Sequence, residues 1–568
     1  MADLPYARAT LDQTGAGIGT GADYMAILSC TELGTAAAIR TTAKVQDTLD
    51  EFGRSEGADL AAHAVDLTKK QYLFGKLATA TAGAIGPVDT TSVLGSSVVT
   101  FTGTPHDDEH ILVEVLEGGT IGTAGIIIRT SRDGGRTWGG NIALGTATSY
   151  LIPNTGVTAN FAAGDLDADD LAVCYCTAPK WNGSGLAAAF TALKAYPIKP
   201  RIIVVCGDCD DSTDVQDIID EIEAFETDAD RHSVVLCSLR DRYAPAEMQG
   251  EPSDVDFDAT GDTITRNTGS WVTDGFKVGM TISIDGTASN DGDHVVTAVA
   301  ATVLTVASSP GLATEANVNG NSFTVTGVET KATWRAALQA IMGATPATEK
   351  QSEKVVVCGG RARRKSKIYS HRKARPFSWA VACRVMAHAI HVSPAKVSLG
   401  ALEGWEIHDA NGTIEQHDER VDGGLLAMRL TCARTYNEKA GVYCALPLTI
   451  DEDGKPLSRL PVVLVGQAAC TIAQRAMVEQ LGGDVLLNEN GTLQEAERRR
   501  IQSYANTQLR IGLLSDGPEG RSASSCVLTI TGDTDLRVTG AEVSYEVALL
   551  TRGYLEKLSG KVRVNSGG

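Results

Sequence analysis

Between Arg201 and Leu239 the chain reads strand, helix, strand, and the helix and strand that continue this series do not arrive until Lys331. Arg201–Cys206 and Ser233–Leu239 are short apolar runs rich in β-branched residues, the pattern of strands buried on both faces. Between them, Thr213–Phe225 sets Val215, Ile218, Ile219, Ile222 and Phe225 on one face of a helix. Lys331–Met342 then reads as the next helix and Lys354–Cys358 as the next strand. Such a series folds as an α/β sheet flanked by helices, so whatever separates its halves has to leave the sheet and return.

The separating stretch, about Pro252–Gly327, is itself strand-like. Thr263–Arg266, Met280–Ile284, His294–Val299, Thr302–Val306 and Ser322–Thr326 are short runs of alternating character, with a turn at Asn290-Asp291-Gly292. This predicts a small β domain inserted in a loop, which closure entropy tolerates.

The remaining chain divides by texture. Residues 1–22 are small, polar and glycine-rich and read as an arm. Residues 23–91 carry a strand at Tyr24–Ser29, a helix at Thr42–Phe52 closed by Gly53, and a helix over Gly57–Ala80 with Leu60, Ala64, Leu67, Tyr72 and Leu77 at helical spacing. Residues 92–175 read as a β domain, with Val98–Phe101, Ile111–Val115 and Ile126–Arg129 as strands. The α/β domain spans 176–251 and 329–450 around the insert at 252–328, and includes a basic run from Arg361 to Arg375 and a helix through Trp379–Ile390. A C-terminal domain, 451–558, has a strand at Val462–Val465, helices near Ala469–Leu481 and from Thr492, and strands at Ser525–Thr531 and Leu536–Ala548. Residues 559–568 form a second polar arm. The fold class is therefore multidomain α/β (α+β), with two small inserted β domains and extended arms.

At 568 residues, 43% of them hydrophobic, the chain is long enough for three or four cores. A formal charge of −20 disfavours phosphate backbones and argues against nucleic acid as a partner. No signal-like start and no long uninterrupted apolar run argue for cytoplasmic synthesis without membrane insertion. Cys174, Cys237, Cys358 and Cys383 sit in apolar runs and read as buried, reduced thiols.

Patterns with chemical associations each have a structural reading. Ser131-Arg132-Asp133-Gly134-Gly135-Arg136-Thr137-Trp138 matches an Asp-box, in which Ser131, Asp133, Gly135, Thr137 and Trp138 build a hairpin turn. One box without an arginine cluster and nucleophile does not make a glycosidase. Gly15–Gly21 contains G-x-G-x-x-A, but no strand precedes it, so it reads as a hinge and no nucleotide cofactor is implied. Gly207-Asp208-Cys209-Asp210-Asp211 reads as a helix entry capped at Ser212 or Thr213, and His106–His110 as a solvated acidic loop. His388 and His391 read as packing or surface histidines. The helix from Thr492 starts with a capping box, Thr492 to Glu495, and buries Ala496, Ile501 and Tyr504, which leaves Arg498 and Arg499 outward. No metal or cofactor site and no catalytic constellation emerges.

The order of these parts resembles the contractile tail sheath proteins of myophages and phage-like particles. The likeness runs through the glycine-rich arm leading into Met25-Ala26-Ile27-Leu28 and the helix ending at Phe52-Gly53. It continues through Gly125–Ile128, Asp133–Gly135 and Asn154–Phe161. The insert's Ile264–Trp271 and Gly275–Gly279 resemble small β domains of phage tail proteins. Arg434-Thr435-Tyr436, Gly441-Val442-Tyr443, Val543–Val547 and Gly553-Tyr554-Leu555 carry the C-terminal likeness. The resemblance implies a structural subunit of a virion tail, assembled in the host cytoplasm as stacked hexameric rings around a tube protein, with baseplate and tail terminator as further partners. It implies inter-subunit arms carrying Tyr6, Gly15, Gly17, Gly19, Gly21, Lys561, Val562 and Val564, and makes Arg498, Arg499 and Arg500 candidates for tube contact. A competing reading, a glycan-binding or sialidase-like tail protein, rests on the single Asp-box; a structural shell or surface-layer protein is a third.

Overall fold

The structure is a computed structural model that describes residues 24–554 apart from 230–231, 244, 249–254, 273, 344–347, 408–423, 437, 453–454 and 539–541. Its centre is a six-stranded sheet. In chain order its strands are β1 (Met25–Cys30), β2 (Ile39–Thr42), β3 (Tyr72–Leu77), β4 (Ile202–Val205), β5 (Val234–Ser238) and β6 (Val355–Cys358). Across the sheet the order is β2-β3-β1-β4-β5-β6, parallel throughout except for β2. Met25 lies between Tyr72 and Ile202, and Ile202 beside Val234.

Both faces of this sheet are dry. Ala26, Leu28, Ile203, Val205 and Val235 point to a layer made by α3 (Gly183–Ala195), α4 (Ser212–Ala229) and α5 (Lys331–Met342). Met25, Ile27, Val204 and Leu236 point to the opposite layer, built from α1 (Val45–Phe52), α2 (Glu56–Thr68), α6 (Phe377–Ala387) and the start of α7 (Leu460–Val478). Strands with no wet face can consist of apolar residues alone, which is why β4 reads IIVV and β6 reads VVVC. By length and composition alone α7 could cross a membrane. Here Leu460, Val463 and Leu464 are packed into the sheet's own core.

Residues 84–177 form a β domain whose strands enclose Val99, Phe101, Ile111, Val113, Ile128, Val157 and Phe161. Between β5 and α5 the chain builds an eight-stranded array from Ala246–Glu247 to Thr324–Val328, with a core of Phe257, Ile264, Trp271, Phe276, Met280 and Ile282. A buried ion pair closes the neck of this array. Arg240, leaving β5, donates to both carboxylate oxygens of Glu329, at 2.9 and 2.6 Å, and Glu329 precedes Thr330, the N-cap of α5. The Trp334 indole donates to the Arg240 carbonyl at 3.1 Å. The C-terminal part packs α7 and α8 (Glu495–Leu509) against one antiparallel hairpin.

Two expected elements change type. The helix expected over Gly57–Ala80 stops at Thr68, where Lys69 turns left-handed, and Tyr72–Leu77 becomes a strand between β1 and β2. Its run of apolar residues fits either period, and pairing with β1 decides. The strand expected at Val462–Val465 is instead helical, because Pro461 starts α7 in its first turn and tertiary burial outweighs the β-branched propensity.

Because Ile222 is fully buried against the sheet, Ile222→Ala should lower unfolding stability by about 2–5 kcal/mol in chemical denaturation without changing the fold.

Candidate functional site

Two features concentrate unusual chemistry: a buried charge junction beneath the β domain, and an open-edged hairpin at the C-terminal end.

The junction is built from the basic run. Arg361–Lys365 (β7) and Arg372–Pro376 (β8) pair as an antiparallel hairpin, which turns Arg364, Lys373 and Arg375 inward. Arg375 donates to Asp59 of α2 at 2.8 and 3.0 Å and to Asp107 of the β domain at 2.7 and 2.8 Å. Lys373 reaches Asp107 at 2.8 Å and Glu109 at 2.9 Å. Arg361 bridges Asp108 and Asp208. The acidic loop at His106–His110 is therefore not solvated as expected: Asp107 and Glu109 are 2% and 4% exposed, because they neutralise the buried cations.

Burial works to raise the Asp59 carboxyl, but Arg375, His63 and the Ser366 hydroxyl together outweigh it and hold Asp59 below the ordinary carboxylate range. The Asp107 carboxyl is likewise held low, Arg375 and Lys373 overcoming its burial. Two groups of α2 are shifted by the same burial. Burial pushes Glu56 up to about 8 and His63 down to about 4.

The Asp-box closes the same junction from the β domain. Asp133 accepts from the Thr137 amide at 2.8 Å and from its hydroxyl at 2.7 Å, while the Gly135 amide donates to Ser131 Oγ at 2.9 Å. Gly135 has φ +83°, a conformation a side chain would strain. Arg129 stacks on Trp138 at 4.5 Å. Arg132 donates to the Tyr369 carbonyl, at 2.8 Å, inside the basic hairpin. The carboxylate of the box is thus engaged in its own turn.

The other candidates are likewise engaged. The entry to α4 is capped by Asp211, which accepts from the amides of Thr213 and Asp214, rather than by Ser212 or Thr213. Lys180 pairs with Asp210 and Asp214. His388 meets Glu519 at 2.8 Å, and His391 lies 3.0 Å from the Glu519 carbonyl. Among the described residues no group of His, Cys, Asp and Glu is arranged to hold a metal. All twelve cysteines are free, and all but Cys470 are buried.

At the C-terminal end, β9 (Ala523–Asp533) and β10 (Val543–Thr551) pair with each other, and neither joins another strand among the described residues. Cys526, Leu528 and Ile530 point inward to α7 and α8, while Val527 and Leu550 are half or more exposed on the other face. The two edges differ. The Asn506 side chain of α8 donates to the Leu528 carbonyl at 3.0 Å and accepts its amide at 2.7 Å, standing in for a strand along β9. Opposite residues of an antiparallel pair point their peptide groups the same way, in or out, so Val547, facing Leu528, directs its own outward along β10.

Arg498, Arg499 and Arg500 lie on α8. Arg498 donates to Asp533 at 2.8 Å, Arg499 to Glu495 at 2.8 Å and Arg500 to Glu497 at 2.8 Å. Arg499 is 76% exposed, while Arg498 is 31% exposed and folded back on the hairpin. The expected capping box does not form. Gln494 is the N-cap without a side-chain bond, Thr492 donates to Asn490, and Asp533 takes the Leu493 amide. Ala496, expected inside, is exposed, and Ala505 and Leu509 fill the core. The candidate arm residues Tyr6, Gly15, Gly17, Gly19, Gly21, Lys561, Val562 and Val564 lie outside the described residues.

No family model and no curated protein matches the chain. The solved structures it matches include tail sheath proteins. A sheath tail protein from Desulfitobacterium hafniense is 9% identical, the match covering 96% of this chain and 100% of that one, with a TM-score of 0.39. One from Listeria innocua is 10% identical over 93% of this chain and 94% of its own, with a TM-score of 0.36. The contracted sheath complex of an extracellular contractile injection system matches 42% of this chain and 61% of its own at 12% identity and a TM-score of 0.29. At these scores the likeness carries no argument about function.

Nothing else in the junction can neutralise Asp59 and Asp107 together, so Arg375→Met should destabilise the protein by about 3–5 kcal/mol. Lys367→Met, on the exposed pair with Asp66, should cost less than about 1 kcal/mol in the same denaturation series.

Proposed function

We propose that the chain is the sheath subunit of a contractile phage tail or phage-like particle, an assembly protein rather than an enzyme. In this reading subunits form stacked hexameric rings around an inner tube, with baseplate and terminator at the ends. Contraction drives the tube through the host envelope. The subunit is made and assembled in the host cytoplasm and resides in the virion tail.

The observation that carries the reading is the edge of β10. A two-stranded hairpin with one edge covered by Asn506 and the other meeting no strand among the described residues is a template for strand addition. Residues 1–22 and 559–568 are the segments proposed to supply those strands from neighbouring subunits, the second through Lys561, Val562 and Val564. Main-chain hydrogen bonds made this way persist while subunits rotate. The engagement of the Asp-box carboxylate in its own turn favours this reading over a glycan-cleaving one. Exposed Arg499 and Arg500 remain the proposed tube-facing residues, with Arg498 holding the hairpin to α8.

Negative-stain microscopy of the concentrated full chain should show hollow, striated tubes. Deleting Met1–Gly21 or Ser559–Gly568, or introducing Val547→Pro on the open edge, should leave a folded monomer by circular dichroism and sedimentation but no tubes. Normal tubes from all three variants would reject strand exchange at β10. Flat arrays from the intact chain would favour a shell protein, and closed small oligomers with glycan affinity the competing tail-protein reading.

A further inference from the structure

Lys373 of β8 and Glu109 of the β domain meet in a buried site, where the lysine side chain is 5% exposed and the glutamate side chain not at all. Lys373 Nζ lies 2.9 Å from Glu109 Oε1 and 2.8 Å from Asp107 Oδ2. It also sits 4.1 Å from the centre of the buried Tyr369 ring. An amine, a carboxyl group and a second carboxylate thus share one dry site. These are the groups from which an amide can form: a nucleophile, an acyl group and a proton acceptor.

The two carboxylates are not equivalent. Asp107 accepts from Arg375 on both oxygens, at 2.8 and 2.7 Å, and from the Asp108 amide at 2.8 Å. Despite its burial, Arg375 and Lys373 hold it firmly as the carboxylate. Glu109 has no such support. Its Oε1 accepts from Lys373, while Oε2 has no hydrogen-bond partner, and His371 Nε2 stops 3.6 Å from it. A buried carboxylate so poorly matched is costly to keep charged. Among the cations turned inward here, Arg364 and Arg375 do not give up a proton, which leaves Lys373 as the nitrogen able to act as a nucleophile.

We propose that Lys373 and Glu109 condense into an isopeptide bond that ties the β domain covalently to the core. The Lys373 ammonium first passes one proton to Glu109, giving an amine and an acid and removing two charges from the buried site. The Nζ lone pair then attacks Cδ of Glu109. Asp107 accepts the second proton that the nitrogen loses and passes it to the departing oxygen. The Nζ–Cδ bond forms, one Cδ–O bond breaks, and that oxygen leaves as water with two of the three ammonium hydrogens. Nζ keeps the third; nothing is oxidised or reduced, and no co-reactant is needed. The fold supplies the rate by holding the reacting groups in contact, which makes the condensation unimolecular. Glu109 and Lys373 are 264 residues apart in the chain, so a load that pulls the β domain from the core runs through covalent bonds. The inference does not depend on the sheath reading.

The test is the intact mass of the purified full chain, allowing for removal of Met1. It should lie one water below the mass of the sequence. Trypsin should release a branched peptide joining residues 77–129, which hold Glu109, to residues 373–384, left uncut after Lys373. Lys373→Met should show its full sequence mass; where that variant does not fold, the branched peptide of the wild type decides. A wild-type mass equal to that of the sequence, or a water loss without the branched peptide, would overturn the proposal. Asp107→Asn, checked for folding by circular dichroism and timed after cell-free synthesis, should form the link about a hundredfold more slowly. Linkage at the wild-type rate would overturn the proton relay assigned to Asp107.

Discussion

A six-stranded sheet, five of its strands parallel and apolar on both faces, is stable only if both faces are covered, and most of the architecture follows from meeting that demand. Helices α3, α4 and α5 cover one side and α1, α2, α6 and α7 the other. At roughly 25 cal/mol for each Å² of apolar surface removed from water, this double burial is the dominant favourable term. Once the sheet is sealed, everything else has to attach at its loops: the β domain between β3 and α3, the eight-stranded array between β5 and α5, and the C-terminal hairpin on helices that continue beyond the sheet.

Each attachment is held differently. The eight-stranded array has its own apolar core and is closed at its neck by the ion pair of Arg240 with Glu329. The β domain is seated through charges instead. Asp107 and Glu109 enter a pocket of cations held by β7 and β8, with Asp59 of α2 shared between them. Apolar residues of the same volume would bind as tightly, whereas charges demand one geometry and respond to protons and to partner loss. The C-terminal hairpin is seated by apolar packing and by the Asn506 amide, and among the described residues no strand pairs with its second edge.

The order of the central elements was legible from residues 201–239 and 331–358, because strands buried on both faces and a one-sided helix leave unmistakable patterns. So was the array between them, whose alternating runs correspond to strands at Thr263–Arg266, Thr281–Asp285, Gly292–Val299, Val303–Val306 and Thr324–Val328. Tyr72–Leu77 and Val462–Val465 were not, since six or fewer consecutive apolar residues fit a strand or a buried helix equally and only their neighbours choose. The junction was hidden for a different reason. A basic run at 361–375 and an acidic loop at 106–110 each look solvated alone, and some 250 residues of sequence separate them.

By itself, then, the sequence determined where water is excluded: the strands, the one-sided helices, the Asp-box turn and the glycine at Gly53 that ends α1. These depend on local conformational energy and on hydrophobic spacing, which are properties of short segments. The tertiary structure alone decided which charges face each other, which strand edge is covered and which meets no strand among the described residues. Asp59, Asp107 and Arg375 acquire their meaning only when three distant segments meet, and Asn506 only when α8 lies along β9. Electrostatic and edge interactions act through space rather than along the chain, and their strength is set by a burial that no single segment specifies.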